Sequence, residues 1–153
     1  MSTTKILMVC LGNICRSPLA EGILKSKLSA AHFFVDSAGT SNYHIGELPD
    51  NRSIAVAKTH GIDIADQRGR QFVVSDFDNF DYIYAMDVSN YKNIIKLARN
   101  NEDISKTKLI LDELENNTSS DVPDPYYGGD LGFENVFQLL NRACNEIANR
   151  LIT

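Results

Sequence analysis

Nine residues near the start, Cys10-Leu11-Gly12-Asn13-Ile14-Cys15-Arg16-Ser17-Pro18, restrict what this chain can fold into more than any other stretch. Lys5-Ile6-Leu7-Met8-Val9 precedes them, an apolar run with the length and branching of a buried strand. Leu19, Ile23, Leu24 and Leu28 follow on one face of a helix. Ser17 has the chemistry of a helix N-cap, and Pro18 suits the first helical position, whose N–H has no partner anyway. The stretch therefore reads as a strand-to-helix turn whose backbone N–H groups converge on one point. Closed by a helix N-terminus, such a turn is an anion site. Cys10 stands at its mouth and Arg16 at its end.

The residue types suit nucleophilic chemistry on a phosphate. A thiol attacks well only as a thiolate, a form favoured by a helix N-terminus and a fixed cation. Arg16 offers a planar fork matching two phosphate oxygens, which Lys cannot do. Gly12 permits close backbone approach and a positive φ where the loop needs one, and Asn13 tolerates left-handed backbone and can hold the loop shape. Ser17 can donate its hydroxyl to the sulfur and ease departure of the thiolate. The plainer alternative is a strand-end cysteine with a surface arginine, and the strand before and helix after weigh against it.

Further strands are expected at His32–Asp36, Tyr82–Met86 and Lys108–Leu111, with a turn-rich loop over Ser37–Pro49. Helices are expected from Asp50 to Gly61, through Tyr91, Ile94, Ile95, Leu97 and Ala98, and from Phe133 to Leu151. Strand–helix alternation predicts an α/β fold: a three-layer sandwich with a central four-stranded parallel sheet flanked by helices, the phosphate-binding loop after the first strand. In such sheets ligands sit beyond the carboxyl ends of the strands. The 153 residues, 43% of them apolar, are expected to form a single domain over 1–153.

A net charge of −5 argues against a nucleic-acid partner. No apolar run reaches membrane-span length and no secretory pattern opens the chain, so a cytoplasmic location without membrane contact is expected. Three cysteines at irregular spacing make no disulfide framework, and neither they nor His32, His44 and His60 show metal-ligand spacing. Each histidine reads as a surface or helix-end residue. Asp112, Glu113 and Glu115 read as a solvated face, and Glu113 to Asp121 as a polar, acidic surface loop. The nucleotide-binding Gly-Lys-Ser/Thr and G-x-G-x-x-G patterns are absent. Asp124-Pro125-Tyr126-Tyr127-Gly128-Gly129 either opens a turn or presents an acid beside aromatic rings.

V-C-L-G-N-I-C-R-S-P resembles the signature of the low-molecular-weight protein tyrosine phosphatases. The likeness continues through Asp36–Thr40, Gly46 to Arg52, His60–Ile62, Arg70-Gln71, Phe80–Tyr82, Met86-Asp87 with Ser89-Asn90, and Asp124–Gly128, in the family's order. It implies hydrolysis of phosphotyrosine and small aryl phosphates through a cysteinyl-phosphate intermediate, without cofactor or metal. By the resemblance, Cys10 is the nucleophile, Arg16 binds the transferring phosphoryl group and Asp124 is the general acid, then the base. Leu11, Gly12, Asn13, Ile14, Cys15, Arg16 and Ser17 form the phosphate loop. Ile14, Tyr43, Tyr126 and Tyr127 wall the cleft, Asn13, Ser17 and Ser37 brace the loop, and Cys15 acts as a redox partner of Cys10. A phosphotyrosine protein is then the substrate partner, inorganic phosphate the product, and a monomer or weak dimer the expected state. Gln67 departs from the family, standing where a histidine usually helps to brace the loop asparagine. Among alternatives, a protein-arginine phosphatase of this fold typically carries Thr at the position of Ile14. Thiol-dependent arsenate reductases need further shuttling cysteines, and a phosphopeptide-binding module would not need Cys10, Arg16 and Asp124 together.

Overall fold

A computed structural model describes residues 3–115, 119–127 and 130–153. Strand β1 (Thr4–Cys10) leads through the turn into α1 (Arg16–Lys27) and β2 (Phe33–Gly39). After α2 (Asn51–Thr59) and a short α3 (Asp76–Asn79) come β3 (Tyr82–Ala85), α4 (Val88–Ile95), α5 (Asn101–Lys106) and β4 (Thr107–Leu109). Two 3-10 turns, Ile110–Glu113 and Pro125–Tyr127, precede the long α6 (Asp130–Ile152). The strands form one parallel sheet in the order β2-β1-β3-β4.

β1 is apolar throughout because both of its faces are covered. Ile6, Met8 and Cys10 join the cluster made with Leu19, Ile23, Leu140 and Ile147 of α1 and α6. Leu7 and Val9 point into the opposite cluster with Phe72, Phe77, Ile83 and Ile94. Helices thus lie on both faces, as the alternation predicts. The chain leaves β1 for β2 on one side and then crosses to β3 on the other, so the carboxyl end of β1 is the switch point where a crevice opens.

Element ends differ from expectation where long-range pairing decides them. β2 continues to Gly39 because Ser37, Ala38 and Gly39 pair with Met8, Val9 and Cys10. β4 stops at Leu109, the partner of Ala85 at the end of β3, and Ile110 and Leu111 turn inward in a 3-10 turn. Gly61, at φ 77°, ends α2 as expected. The helices α3 and α5 are too short to leave a periodic signal. Glu113 does not lie on a solvated face: its Oε1 accepts from the Tyr84 hydroxyl at 2.9 Å and from Arg150 Nη2 at 2.8 Å. The acidic loop expected beyond it lies partly, and the Gly128-Gly129 pair wholly, outside the described residues. Among the described residues no helix is long and apolar enough to cross a membrane.

Leu140 is fully buried in the cluster between α1, α6 and the sheet. Leu140→Ala is expected to cost about 2–5 kcal/mol, read as a lower urea midpoint at unchanged slope. A loss below about 1 kcal/mol would show that α6 does not pack as described.

Candidate active site

The turn after β1 is shaped by where its carbonyls go. Thr40 N–H donates to the Cys10 carbonyl and Ser41 N–H to that of Leu11, both at 2.9 Å. Asp50 N–H donates to the Ile14 carbonyl at 2.8 Å, and Ser53 Oγ to that of Cys15 at 3.3 Å. Gly39 lies so close that a Cβ there would stand 2.7 Å from the Leu11 carbonyl oxygen. With its carbonyls engaged from outside, the loop keeps amides on its concave side. Among the described residues, the N–H groups of Gly12, Ile14 and Cys15 meet no protein acceptor.

Asn13 takes the left-handed backbone, at φ 59°, so the positive φ falls here and not on Gly12. At Gly12 the space is tight, since a Cβ would meet the His44 ring at 3.0 Å. Asn13 Nδ2 donates to Ser17 Oγ at 2.8 Å and to Ser37 Oγ at 3.0 Å, while its Oδ1 accepts from Arg70 N–H at 3.0 Å. Ser37 passes its own proton to Glu21 Oε1 at 2.7 Å. Ser17 Oγ lies 3.0 Å from Cys10 Sγ, which also accepts from Asn13 N–H at 3.3 Å. A buried relay thus runs from Glu21 through Ser37, Asn13 and Ser17 to the thiol. Burial raises the Glu21 carboxyl pKa against the opposing bonds from Lys25 and Ser37.

Ser17 is therefore not the helix cap. The helix begins at Arg16, and Cys15 in the cap position makes no side-chain bond to the first turn. The Ser17 hydroxyl is engaged by Asn13 and the Cys10 sulfur, away from the helix N–H groups. Gln67 does not take over the family histidine's bracing, because its Nε2 donates to the Pro18 carbonyl at 3.0 Å. The Asn13 Oδ1 brace comes instead from Arg70 N–H.

Arg16 is 3% exposed. Its Nη1 donates to Asp87 Oδ2 at 2.7 Å and to the Val122 carbonyl at 3.0 Å. That fixes one edge of the guanidinium and leaves Nε and Nη2 for a bidentate ligand. Burial opposes the charge, but Cys10 and Asp87 outweigh it and push the Arg16 pKa further up. Asp124 approaches from across the cleft, its Oδ2 at 3.8 Å from Arg16 Nη2, and its Oδ1 accepts from Tyr126 N–H at 3.0 Å. Val122 N–H, bonded to the Met86 carbonyl at 2.8 Å, hangs this loop on the end of β3.

A cleft of about 230 Å³ brings together Cys10, Leu11, Gly12, Ile14, Cys15, Arg16, Tyr43, Asp124 and Tyr126, with His44 beside them. Asn13, Ser17 and Ser37 sit buried behind it. The side chain of Tyr127 lies outside the described residues. Cys15 is buried, and burial followed by the negative charge of Asp50 pushes its thiol up to about 12. Sequence reasoning missed Glu21, Asp87 and His44. Only Glu21 left a local signal, four residues after Ser17 on the same helix face. His44 is no plain surface residue: its Nδ1 pairs with Glu47 Oε2 at 3.0 Å and its ring closes over Gly12. No group of three or more His, Cys, Asp or Glu gathers as a metal site among the described residues.

The sequence profile described as low molecular weight phosphotyrosine protein phosphatase matches residues 5–153. The human protein of that description is 39% identical over 148 residues, 94% of this chain and 92% of its own. A crystal structure of a protein tyrosine phosphatase from Entamoeba histolytica superposes with a TM-score of 0.90 at 40% identity, covering 98% of this chain and 97% of that one. The structure of YfkJ from Bacillus subtilis gives 0.91 at 37%, covering 99% and 96%. Fold and relatives together define a protein tyrosine phosphatase. The chain belongs to the low molecular weight phosphotyrosine protein phosphatase family.

Asn13→Gly keeps the left-handed backbone and removes the brace. Inorganic phosphate affinity is expected to fall about tenfold by titration calorimetry, the scale of one hydrogen bond. Asn13→Ala should lose as much affinity and in addition about 1 kcal/mol of stability relative to Asn13→Gly. Unchanged phosphate binding in both would remove Asn13 from the site.

Proposed function

We propose that the protein hydrolyses phosphotyrosine in proteins, and small aryl phosphates, in two steps through Cys10. The observation that carries this is one cleft holding the Cys10 sulfur, the open edge of Arg16 and the Asp124 carboxyl, beside the rings of Tyr43 and Tyr126. The names of the human and Bacillus relatives point to the same chemistry.

In the first step the Cys10 thiolate attacks phosphorus in line. The S–P bond forms as the P–O bond to the aryl group breaks, and that bond's electron pair leaves on the phenolic oxygen. Asp124 protonates this oxygen, which matters because a phenol of pKa about 10 leaves poorly as the anion. The loop amides and Arg16 take the charge of the equatorial oxygens. In the second step water attacks phosphorus and loses a proton to Asp124. The S–P electrons return to Cys10, where the Ser17 hydroxyl stabilises the thiolate. Inorganic phosphate departs and Asp124 is again protonated. Ile14 presents apolar surface suited to a flat ring and offers no hydroxyl to a guanidinium, so an aryl ester is favoured over phosphoarginine.

The decisive assay pairs phosphotyrosine and phosphoarginine peptides. Phosphotyrosine should turn over faster, Cys10→Ser should abolish turnover while still binding phosphate, and Asp124→Asn should slow phenyl phosphate about a hundredfold to ten-thousandfold while sparing activated esters. Faster phosphoarginine turnover, or residual activity in Cys10→Ser, would overturn the reading.

The same proposal gives Cys15 its redox role. Peroxide converts a thiolate to a sulfenic acid, which condenses with a neighbouring thiol to a disulfide and water. Both cysteines line the cleft, five residues apart on one turn. After a fixed peroxide dose, dithiothreitol should restore the parent enzyme but not Cys15→Ser. Equal recovery would leave Cys15 as packing only.

A further inference from the structure

Asp124 lies two residues past Val122, where the loop hangs on the end of β3, and its side chain is 42% exposed. On its other side the turn is held from the start of α2. There the Asp50 carboxylate accepts from Arg52 N–H at 2.8 Å, capping the helix, while Asp50 N–H is bonded to the Ile14 carbonyl of the phosphate loop. Arg52 then reaches outward. Its Nε and Nη2 donate to the Asp50 carboxylate at 3.1 and 3.2 Å, and Nη2 also donates to the Tyr126 carbonyl at 2.9 Å. The guanidinium lies over the rings of Tyr126, at 5.5 Å, and Phe133, at 4.6 Å. Tyr126 closes the path, since its own N–H is the donor to Asp124 Oδ1.

We propose that Arg52 is a positioning residue for the general acid, a strut that sets the distance between the turn bearing Asp124 and the loop bearing Cys10. The inference rests on the reading of Asp124 as the acid. A planar fork suits this task because one rigid group holds a carboxylate and a carbonyl in fixed relation while its face covers an aromatic ring. Lysine would supply the charge without the geometry. Asp50 stays available as the anchor: burial raises its pKa, but the bonds from Arg52 outweigh that and hold it below the ordinary carboxylate value. Precision matters at the far end of the strut, because proton transfer to a leaving oxygen is lost when donor and acceptor separate by about an ångström, at a cost of about a hundredfold.

A purely structural arginine would slow all substrates alike. A strut for the acid slows only those whose leaving group needs a proton. The measurement is therefore kcat/KM, which reports the steps through phosphoryl transfer, for phenyl phosphate and for 2,4-dinitrophenyl phosphate. Arg52→Ala is expected to lose about ten- to a hundredfold on phenyl phosphate and less than about threefold on the dinitrophenyl ester, with inorganic phosphate affinity within about twofold of the parent. Arg52→Lys should show the same selective loss, and it carries the comparison if truncation lowers the melting temperature into the assay range. Placed on Asp124→Asn, the Arg52→Ala change should cost no more than about a further twofold on phenyl phosphate, because the group it positions is gone. Equal losses on both esters, or losses that multiply with those of Asp124→Asn, overturn the proposal. If Asp124→Asn itself fails to discriminate between the esters, the acid assignment falls instead, and the strut with it.

Discussion

The side-chain amide of Asn13 holds two hydroxyls at once while its own backbone stands in a left-handed conformation that few side chains tolerate. It holds Ser17 beside the sulfur and ties the turn to Ser37 of β2, while Thr40, Ser41, Asp50 and Ser53 hold the turn's carbonyls on its outer side. Arg70 supplies the third bond through its backbone, in a segment that the Gly39–Gln71 bridge ties to the sheet edge. The loop is therefore shaped from behind, by partners spread across the first half of the chain.

Arg16 is fixed from the other side. Asp87 caps α4 with one carboxylate oxygen and grips the guanidinium with the other, so a single residue couples the end of β3 to the anion site. The sheet order makes this possible. Because β1 lies between β2 and β3, its carboxyl end is flanked by bracing groups from β2 on one side and by charge partners after β3 on the other.

Local pattern carried much of this in the sequence. The apolar run of β1, the turn composition after it and the alternation of strands with helices gave the sheet and the place of the crevice. The family resemblance pointed to Asp124, whose Asp-Pro context alone favours a simple turn. What stayed illegible has a common cause. Glu21, Asp87, His44 and Arg52 reach the site through contacts with Ser37, Arg16, Gly12 and Tyr126, each far along the chain, and local spacing does not reveal those contacts. Ser17 misled for the opposite reason: its local signal for a cap is sound, and a tertiary bond from Asn13 overrides it. Glu113 likewise has an acidic neighbourhood that suggests solvent, until Tyr84 and Arg150 close around it.

The relay behind the thiol ends on a carboxyl group that folding removes from water. Because burial raises the Glu21 pKa in the folded state, the native chain binds this proton more tightly than the unfolded chain does. Proton linkage then fixes the sign. Glu21 favours the fold where it is protonated in both states, and that contribution drains away as pH climbs from the unfolded carboxyl value toward the higher folded one. Lys25 offsets part of the loss by sitting 2.6 Å from the same carboxylate. Most buried or paired carboxylates that are held ionised make a protein sturdier toward neutrality, and this one pulls the opposite way. The group that orders the catalytic loop from behind is thus a small acid-favouring element inside an otherwise acidic molecule.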